Sequence, residues 1–140
     1  MTTYTIRPAV AGELGPGTIL DASVHPPRVK RLNYEFSDWF GDDLVTTFPC
    51  YVVTERLVHA LRERGITGVE FDHVEVTRSP DFAELHTGQL PNFRWMKVTG
   101  RPGVDDLWIG ENHRLCATES GLEALRTGQL DNALVEAVRD

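Results

Sequence analysis

Tyr51-Val52-Val53-Thr54-Glu55-Arg56-Leu57-Val58-His59-Ala60-Leu61-Arg62-Glu63-Arg64-Gly65-Ile66 decides the fold, because the chain writes this stretch twice. Thr54-Glu55 followed by Ala60-Leu61-Arg62 returns 64 residues later as Thr118-Glu119 followed by Ala124-Leu125-Arg126, five identities in nine aligned positions. An apolar run precedes the second copy as well (Leu115-Cys116-Ala117), Gly65 and Gly128 end the copies, and Ile66 and Leu130 follow in register. A threonine N-cap, an apolar stripe at Leu57, Val58 and Leu61, and a glycine at the C-terminal cap spell a strand leading into one short amphipathic helix. The echo therefore covers residues 50–66 and 115–130. It predicts an α+β fold with a mixed or mainly antiparallel sheet and two or three helices.

Outward from the echo, the pattern supplies further strands. Tyr4-Thr5-Ile6-Arg7 reads as a first strand stopped by Pro8, Gly12 to Gly17 as an irregular loop, and Val29 to Phe36 as an alternating strand. Val69 to Val76 reads as one strand whose phase slips near Asp72-His73, as at a bulge or under burial on both faces. Ser79-Pro80-Asp81 is a helix start, with serine as N-cap and proline in the first turn, and that helix should end near Gly88. Phe93 to Thr99 and the strand around Leu107-Trp108-Ile109 are expected to pair as a hairpin through Gly100-Arg101-Pro102-Gly103, with Trp95 in the core. The tail from Asn132 to Val138 fits strand or helix equally.

Composition bounds the class. A chain of 140 residues, 41% hydrophobic and 25% charged, carries one self-sufficient core, so residues 1–140 are expected to form a single domain. No run approaches the roughly 18 apolar residues of a membrane span, and the start Met1-Thr2-Thr3-Tyr4 lacks the basic, apolar pattern of an export signal. A cytoplasmic protein is expected, with Cys50 and Cys116 as buried free thiols. The net charge of −7 argues against nucleic acid as a partner, since phosphate binding rests on a basic surface. Arg28, Lys30 and Arg31 alternate with apolar residues like the solvent face of an edge strand. An acidic surface would instead steer a basic protein.

No catalytic constellation is evident. The five histidines form no His-x-His or His-x-x-x-His pair, and no Cys-x-x-Cys, nucleophile elbow or phosphate loop occurs. The acidic pairs Asp42-Asp43 and Asp105-Asp106 each lie near a glycine and a tryptophan (Trp39, Trp108). Adjacent residues of an extended segment point apart, so such pairs read first as solvated turns. The stretch Tyr34 to Asp43 alternates aromatic rings and carboxylates without a base, which also suits a surface that anchors a partner by rings and meets its cations with acids. Glu70, Asp72, His73 and Glu75 have ligand chemistry at strand spacing, and Asp72, His73 and Glu75 or the acidic pairs define the rival reading, a small metal-assisted hydrolase.

Several blocks carry a resemblance: Tyr34-Glu35-Phe36, Trp39, Gly41-Asp42-Asp43-Leu44, Phe48-Pro49-Cys50-Tyr51-Val52-Val53-Thr54, Thr67-Gly68-Val69, Phe71-Asp72, Val74-Glu75-Val76, Leu90-Pro91, Phe93-Arg94-Trp95-Met96-Lys97-Val98 and Asp105-Asp106-Leu107. Together, from about residue 29 to residue 126, they resemble a family of small immunity proteins of bacterial polymorphic toxin systems, formerly catalogued as a domain of unknown function. Leu107-Trp108 departs from that pattern, which leads one to expect a phenylalanine after the acidic pair. The resemblance implies a protein that binds and neutralises a cognate toxin, with no catalytic residue, metal or other cofactor. On that reading Trp39, Asp42, Asp43, Asp105, Asp106 and Trp108 are the candidate partner-binding residues. A regulatory domain that binds another protein without a toxin is the remaining alternative, and the toxin's activity and the oligomeric state stay open.

Overall fold

Each copy of the echo folds as a strand, a threonine-capped helix and a turn, and each is preceded by a further strand that pairs back on it. The computed structural model describes residues 2–85 and 88–139. In chain order the strands are β1 (Thr2–Arg7), β2 (Ala9–Val10), β3 (Gly12–Leu14), β4 (Ile19–Asp21), β5 (Arg28–Arg31), β6 (Asn33–Phe36), β7 (Leu44–Thr47) and β8 (Cys50–Thr54), which leads into helix α1 (Glu55–Glu63). Then come β9 (Val69–Asp72), β10 (Glu75–Arg78), α2 (Pro80–Leu85), β11 (Phe93–Val98), β12 (Leu107–Ile109), β13 (Leu115–Ala117), α3 (Glu119–Leu125) and β14 (Leu134–Arg139). The fold is a small α+β one, with three α-helices among the described residues and more strand than helix. No helix among those residues is long and apolar enough to cross a membrane.

The first unit, β7-β8-α1, builds the centre of a five-stranded sheet in the order β2-β7-β8-β11-β9. The second, β12-β13-α3, belongs to a four-stranded sheet in the order β12-β13-β1-β14. Pairing is antiparallel except where β2 runs parallel to β7 and β10 parallel to β6. Both N-caps form as the sequence requires: the Thr54 hydroxyl accepts from the Leu57 N–H and the Thr118 hydroxyl from the Gly121 N–H.

The five-stranded sheet separates two cores. Leu44, Val53 and Met96 face α1 and α3 together with Leu57, Leu61, Leu122 and Leu125, while Val45, Val52, Phe93 and Trp95 face the opposite way onto Tyr34, Phe36 and Phe82. Burial on both faces explains why Cys50 to Val53 is an unbroken apolar run rather than an alternating one. The Tyr34 hydroxyl, in the second core, accepts from the Ala11 N–H and donates to the Thr46 carbonyl. Burial pushes that phenol up to about 12.

Four expectations change. Val69 to Val76 is two strands rather than one: β9 pairs with β11, then the chain turns at His73-Val74 and β10 joins β6 in the three-stranded sheet β10-β6-β3. Val74 is buried at that crossing, so the slip in phase marks a change of sheet. Val29 to Phe36 likewise divides at buried Leu32, leaving Arg28, Lys30 and Arg31 exposed on β5 in a two-stranded ribbon with β4. Part of the Gly12–Gly17 loop is strand β3. The expected hairpin between β11 and β12 is absent, because β11 lies between β8 and β9 while β12 pairs with β13. The tail is a strand, β14, beside β1. Ser79 accepts from the Phe82 N–H and caps α2 as expected; the end of that helix near Gly88 adjoins residues 86 and 87, which lie outside the described residues. Cys50 and Cys116 are free, the first buried and the second half-buried.

Candidate functional site

The two acidic pairs brace the fold. Asp43 has its backbone and carboxylate fully engaged: its N–H donates to the Gln129 carbonyl at 2.8 Å, its carbonyl accepts from the Thr54 N–H at 2.9 Å, and its carboxylate accepts from the Thr54 hydroxyl, the Arg56 guanidinium and the Gln129 N–H. Asp106 repeats this on the other unit. Its carbonyl accepts from the Thr118 N–H at 2.9 Å, and its carboxylate accepts from the Thr118 hydroxyl at 3.0 Å and from the Thr67 N–H and hydroxyl at 3.1 and 3.2 Å. Each aspartate thus holds the N-cap of its own helix and the turn that follows the other helix. The helices α1 and α3 must then run antiparallel, with Asp43 at one end of the pair and Asp106 at the other. Nine helical residues span roughly 14 Å, so the two carboxylates do not share a site.

The remaining nominated residues extend the braces. Asp42 accepts from the backbone N–H and the side-chain amide of Asn132, both at 3.0 Å, and the Asp105 carboxylate accepts from the Arg101 N–H at 2.8 Å. Half-buried Trp39 donates from its indole to the Asp42 carbonyl at 2.8 Å and sets its ring edge-on to Phe93. Asp42 and Asp43 are each 1% exposed, and Trp108 is buried. The expected acidic and aromatic surface of Trp39, Asp42, Asp43, Asp105, Asp106 and Trp108 is therefore corrected: three of its six members are interior, and its carboxylates face their own chain. Turn chemistry fits Asp105, whose carboxylate caps the turn from Arg101, whereas Asp42, Asp43 and Asp106 bond residues 11 to 90 positions away in the chain. Burial by itself would raise the Asp43 carboxyl, yet the bonds from Arg56, Gln129 and Thr54 outweigh it and hold the group below its ordinary range.

Exposed aromatic character in this segment falls on Phe40, 66% exposed, on a turn that Asp38, Trp39 and Asp42 fix from within. Gly41 at φ +98° takes the left-handed conformation that the turn needs, and the Gln129 amide reaches the Phe40 carbonyl at 3.4 Å. Phe40 is thus a ring presented by a rigid support.

A second feature lies where the tips of the two repeated units meet. Phe48 occupies the two-residue tip between β7 and β8, where the Thr46 hydroxyl donates to the Cys50 carbonyl at 2.6 Å. His113 ends the 3₁₀ turn Glu111–His113 at the corresponding tip between β12 and β13. Their rings stand 5.9 Å apart, and His25 closes the group at 6.1 Å from Phe48 and 5.4 Å from His113. Asn112 and His113 both have positive φ, 58° and 57°; asparagine adopts this conformation readily, whereas for His113 it stores on the order of 1–2 kcal/mol of strain. Beneath the rings is a cleft of about 300 Å³ walled by Ile6, Val10, Pro26, Pro49, Tyr51 and Ile109 and edged by Arg7 and Arg114. Tyr51 is pushed up to about 12, chiefly by burial.

The metal-ligand stretch does not assemble. Asp72 accepts from Lys97 at 2.8 Å, and Glu75 begins a strand of another sheet. Among the described residues no three His, Cys, Asp or Glu side chains group as metal ligands. No family model, curated protein or solved structure matches the chain. The cleft residues Arg7, Phe48 and His113, with His25 stacked beside the two rings, are too far apart in sequence for any spacing to announce them. Phe40 stood within the aromatic and acidic stretch but carried no mark that set it apart from Trp39.

Proposed function

We propose that the protein is a non-catalytic immunity protein, cytoplasmic, that binds and neutralises a cognate bacterial toxin. The blocks between residues 29 and 126 support the class, and the rigidly presented, two-thirds exposed ring of Phe40 is the observation that supports a protein-binding surface. Large rings that enter a partner's pocket dominate interface energies, and a ring already held in place loses little entropy on binding. The aspartates behind it then act as its scaffold, and half-buried Asp38 is the carboxylate beside it that remains nearest to solvent.

Co-purification with the products of adjacent genes tests this, with growth of cells that express each neighbour alone or together with this chain. The expected result is one neighbour that is toxic alone and harmless in complex. Phe40→Ala should then weaken the complex by about 2 kcal/mol or more, as loss of a central aromatic anchor does, while leaving the melting temperature unchanged. A partner that is bound but not toxic would favour a regulatory domain; wild-type affinity in Phe40→Ala would remove this ring from the interface.

A further inference from the structure

We propose that the cleft between the two hairpin tips is a binding site for a small carboxylate with an apolar body, such as an aryl-alkanoate or a medium-chain fatty acid. The proposal does not depend on the toxin reading. Three observations converge on it. First, the cleft is concave and walled almost entirely by carbon, and its volume of about 300 Å³ falls at the lower end of the range of small-molecule sites. A flat protein contact has no need of such a hollow. Second, the charge at its edge runs against the protein as a whole. The chain carries −7, yet among the described residues no carboxylate lines this cleft, and the full cations that do are Arg7 and Arg114. Neither guanidinium forms an ion pair among the described residues, whereas Arg56 and Arg94 each have a carboxylate. A guanidinium matches a carboxylate by paired N–H donors, so an edge with two of them and no acid selects an anionic head over a neutral or cationic one. Third, the chain keeps two consecutive non-glycine residues in the left-handed conformation to bring the His113 ring over this opening against Phe48 and His25. Strain of that kind persists where the geometry it enforces is used.

The arrangement fixes the pose by chemistry. The apolar body lies on Ile6, Pro49 and Ile109 beneath the ring of Phe48, and the carboxylate stays at the edge with Arg7 and Arg114. Phe48, 51% exposed, and Val10, 71% exposed, are the surfaces such a ligand would cover. A second hollow of about 220 Å³ shares Pro26, Pro49, Tyr51 and Ile109 with the first and is walled further by Trp95 to Val98 of β11.

The test is a two-dimensional amide NMR titration of the whole protein near neutral pH with octanoate and phenylbutyrate, alongside phenylbutyramide and phenylbutylamine as neutral and cationic matches. The expected outcome is saturable shifts confined to residues around Val10, Phe48, Ile109 and His113 for at least one carboxylate. The amide should bind about tenfold more weakly or worse, the loss that follows removal of a hydrogen-bonded charge, and the amine not at all. Arg7→Gln and Arg114→Gln should each lower carboxylate affinity by a similar factor with melting temperatures near wild type. Arg7 is exposed, so its variant folds even if replacement of half-buried Arg114 disturbs the tip. Equal binding of acid, amide and amine, shifts located elsewhere, or no shift with either carboxylate would overturn the proposal. So would a concentration-dependent dimer, seen by sedimentation and abolished by Phe48→Asp, since a second copy would then be the occupant.

Discussion

Replacing Asp43 by alanine should unsettle the protein more than the same change at Asp106, although the two residues occupy equivalent places in the repeat. Asp43 is 1% exposed, and its loss leaves the fully buried Thr54 hydroxyl without its acceptor, at a cost of about 1–3 kcal/mol. The Gln129 N–H, on an exposed residue, and Arg56, whose side chain is 63% exposed, turn to water. The net loss is about 2–3 kcal/mol. Asp106 is half-buried, so water can replace it at Thr67 and Thr118, and its removal should cost about 1 kcal/mol. For a domain of this length 1 kcal/mol moves the melting temperature by about 3 °C. Thermal melts followed by far-ultraviolet circular dichroism should thus show Asp43→Ala about 6–9 °C below wild type and Asp106→Ala about 3 °C below. Arg56→Ala should cost about 1–3 kcal/mol, more than an exposed pair would, because it leaves the buried Asp43 carboxylate without its cation. If Asp43→Ala melts within about 2 °C of wild type, or Asp106→Ala proves the more damaging, the carboxylates are not the braces that their bonds imply.

Other outcomes follow from the same geometry. The Asp43 carboxyl is depressed below its unfolded value of about 3.9, so its contribution is complete above that value and is lost as pH falls through the lower folded one; the stability gap between wild type and Asp43→Asn, measured by urea melts, should narrow progressively as pH falls below about 4. Gly68→Ala should cost about 3 kcal/mol or more, because a Cβ there would lie 2.0 Å from the Leu107 carbonyl oxygen at a φ of +96°, and a backbone carbonyl cannot swing aside as a side chain does; chemical denaturation reads this directly. Cys50, pushed up to about 12 by burial, should resist alkylation in the native protein at mildly alkaline pH and react once the chain is unfolded, which mass spectrometry of the labelled protein will show.

Local signals announced what is local. Thr54, Thr118 and Ser79 cap the helices that their spacing predicted, and the unbroken apolar run of β8 marked a strand buried on both faces. Long-range partners had no such signal. Gly100 and Gly68 let the Leu107 carbonyl approach so closely that β12 passes beside the end of β11 without pairing, and no short-range rule distinguishes this passage from a hairpin turn. Asp43 and its partner Gln129 are 86 residues apart, so a Gly-Asp-Asp segment reads alike whether its acids meet water, a foreign arginine or their own chain.

The repeat itself held a further clue to those acids. Asp43 precedes Thr54 by 11 residues and Asp106 precedes Thr118 by 12, so the acidic pairs recur together with the strand and helix. A feature present in both halves of an internal repeat serves what the halves have in common, which is their fold and the way each clasps the other. Phe40 and His113 have no aromatic counterpart: the positions 64 residues away hold Val104 and Pro49. Rings present in one half only are not required by the clasp the halves share, and it is on two of these, exposed Phe40 and His113 on its left-handed turn, that the two proposed binding surfaces rest.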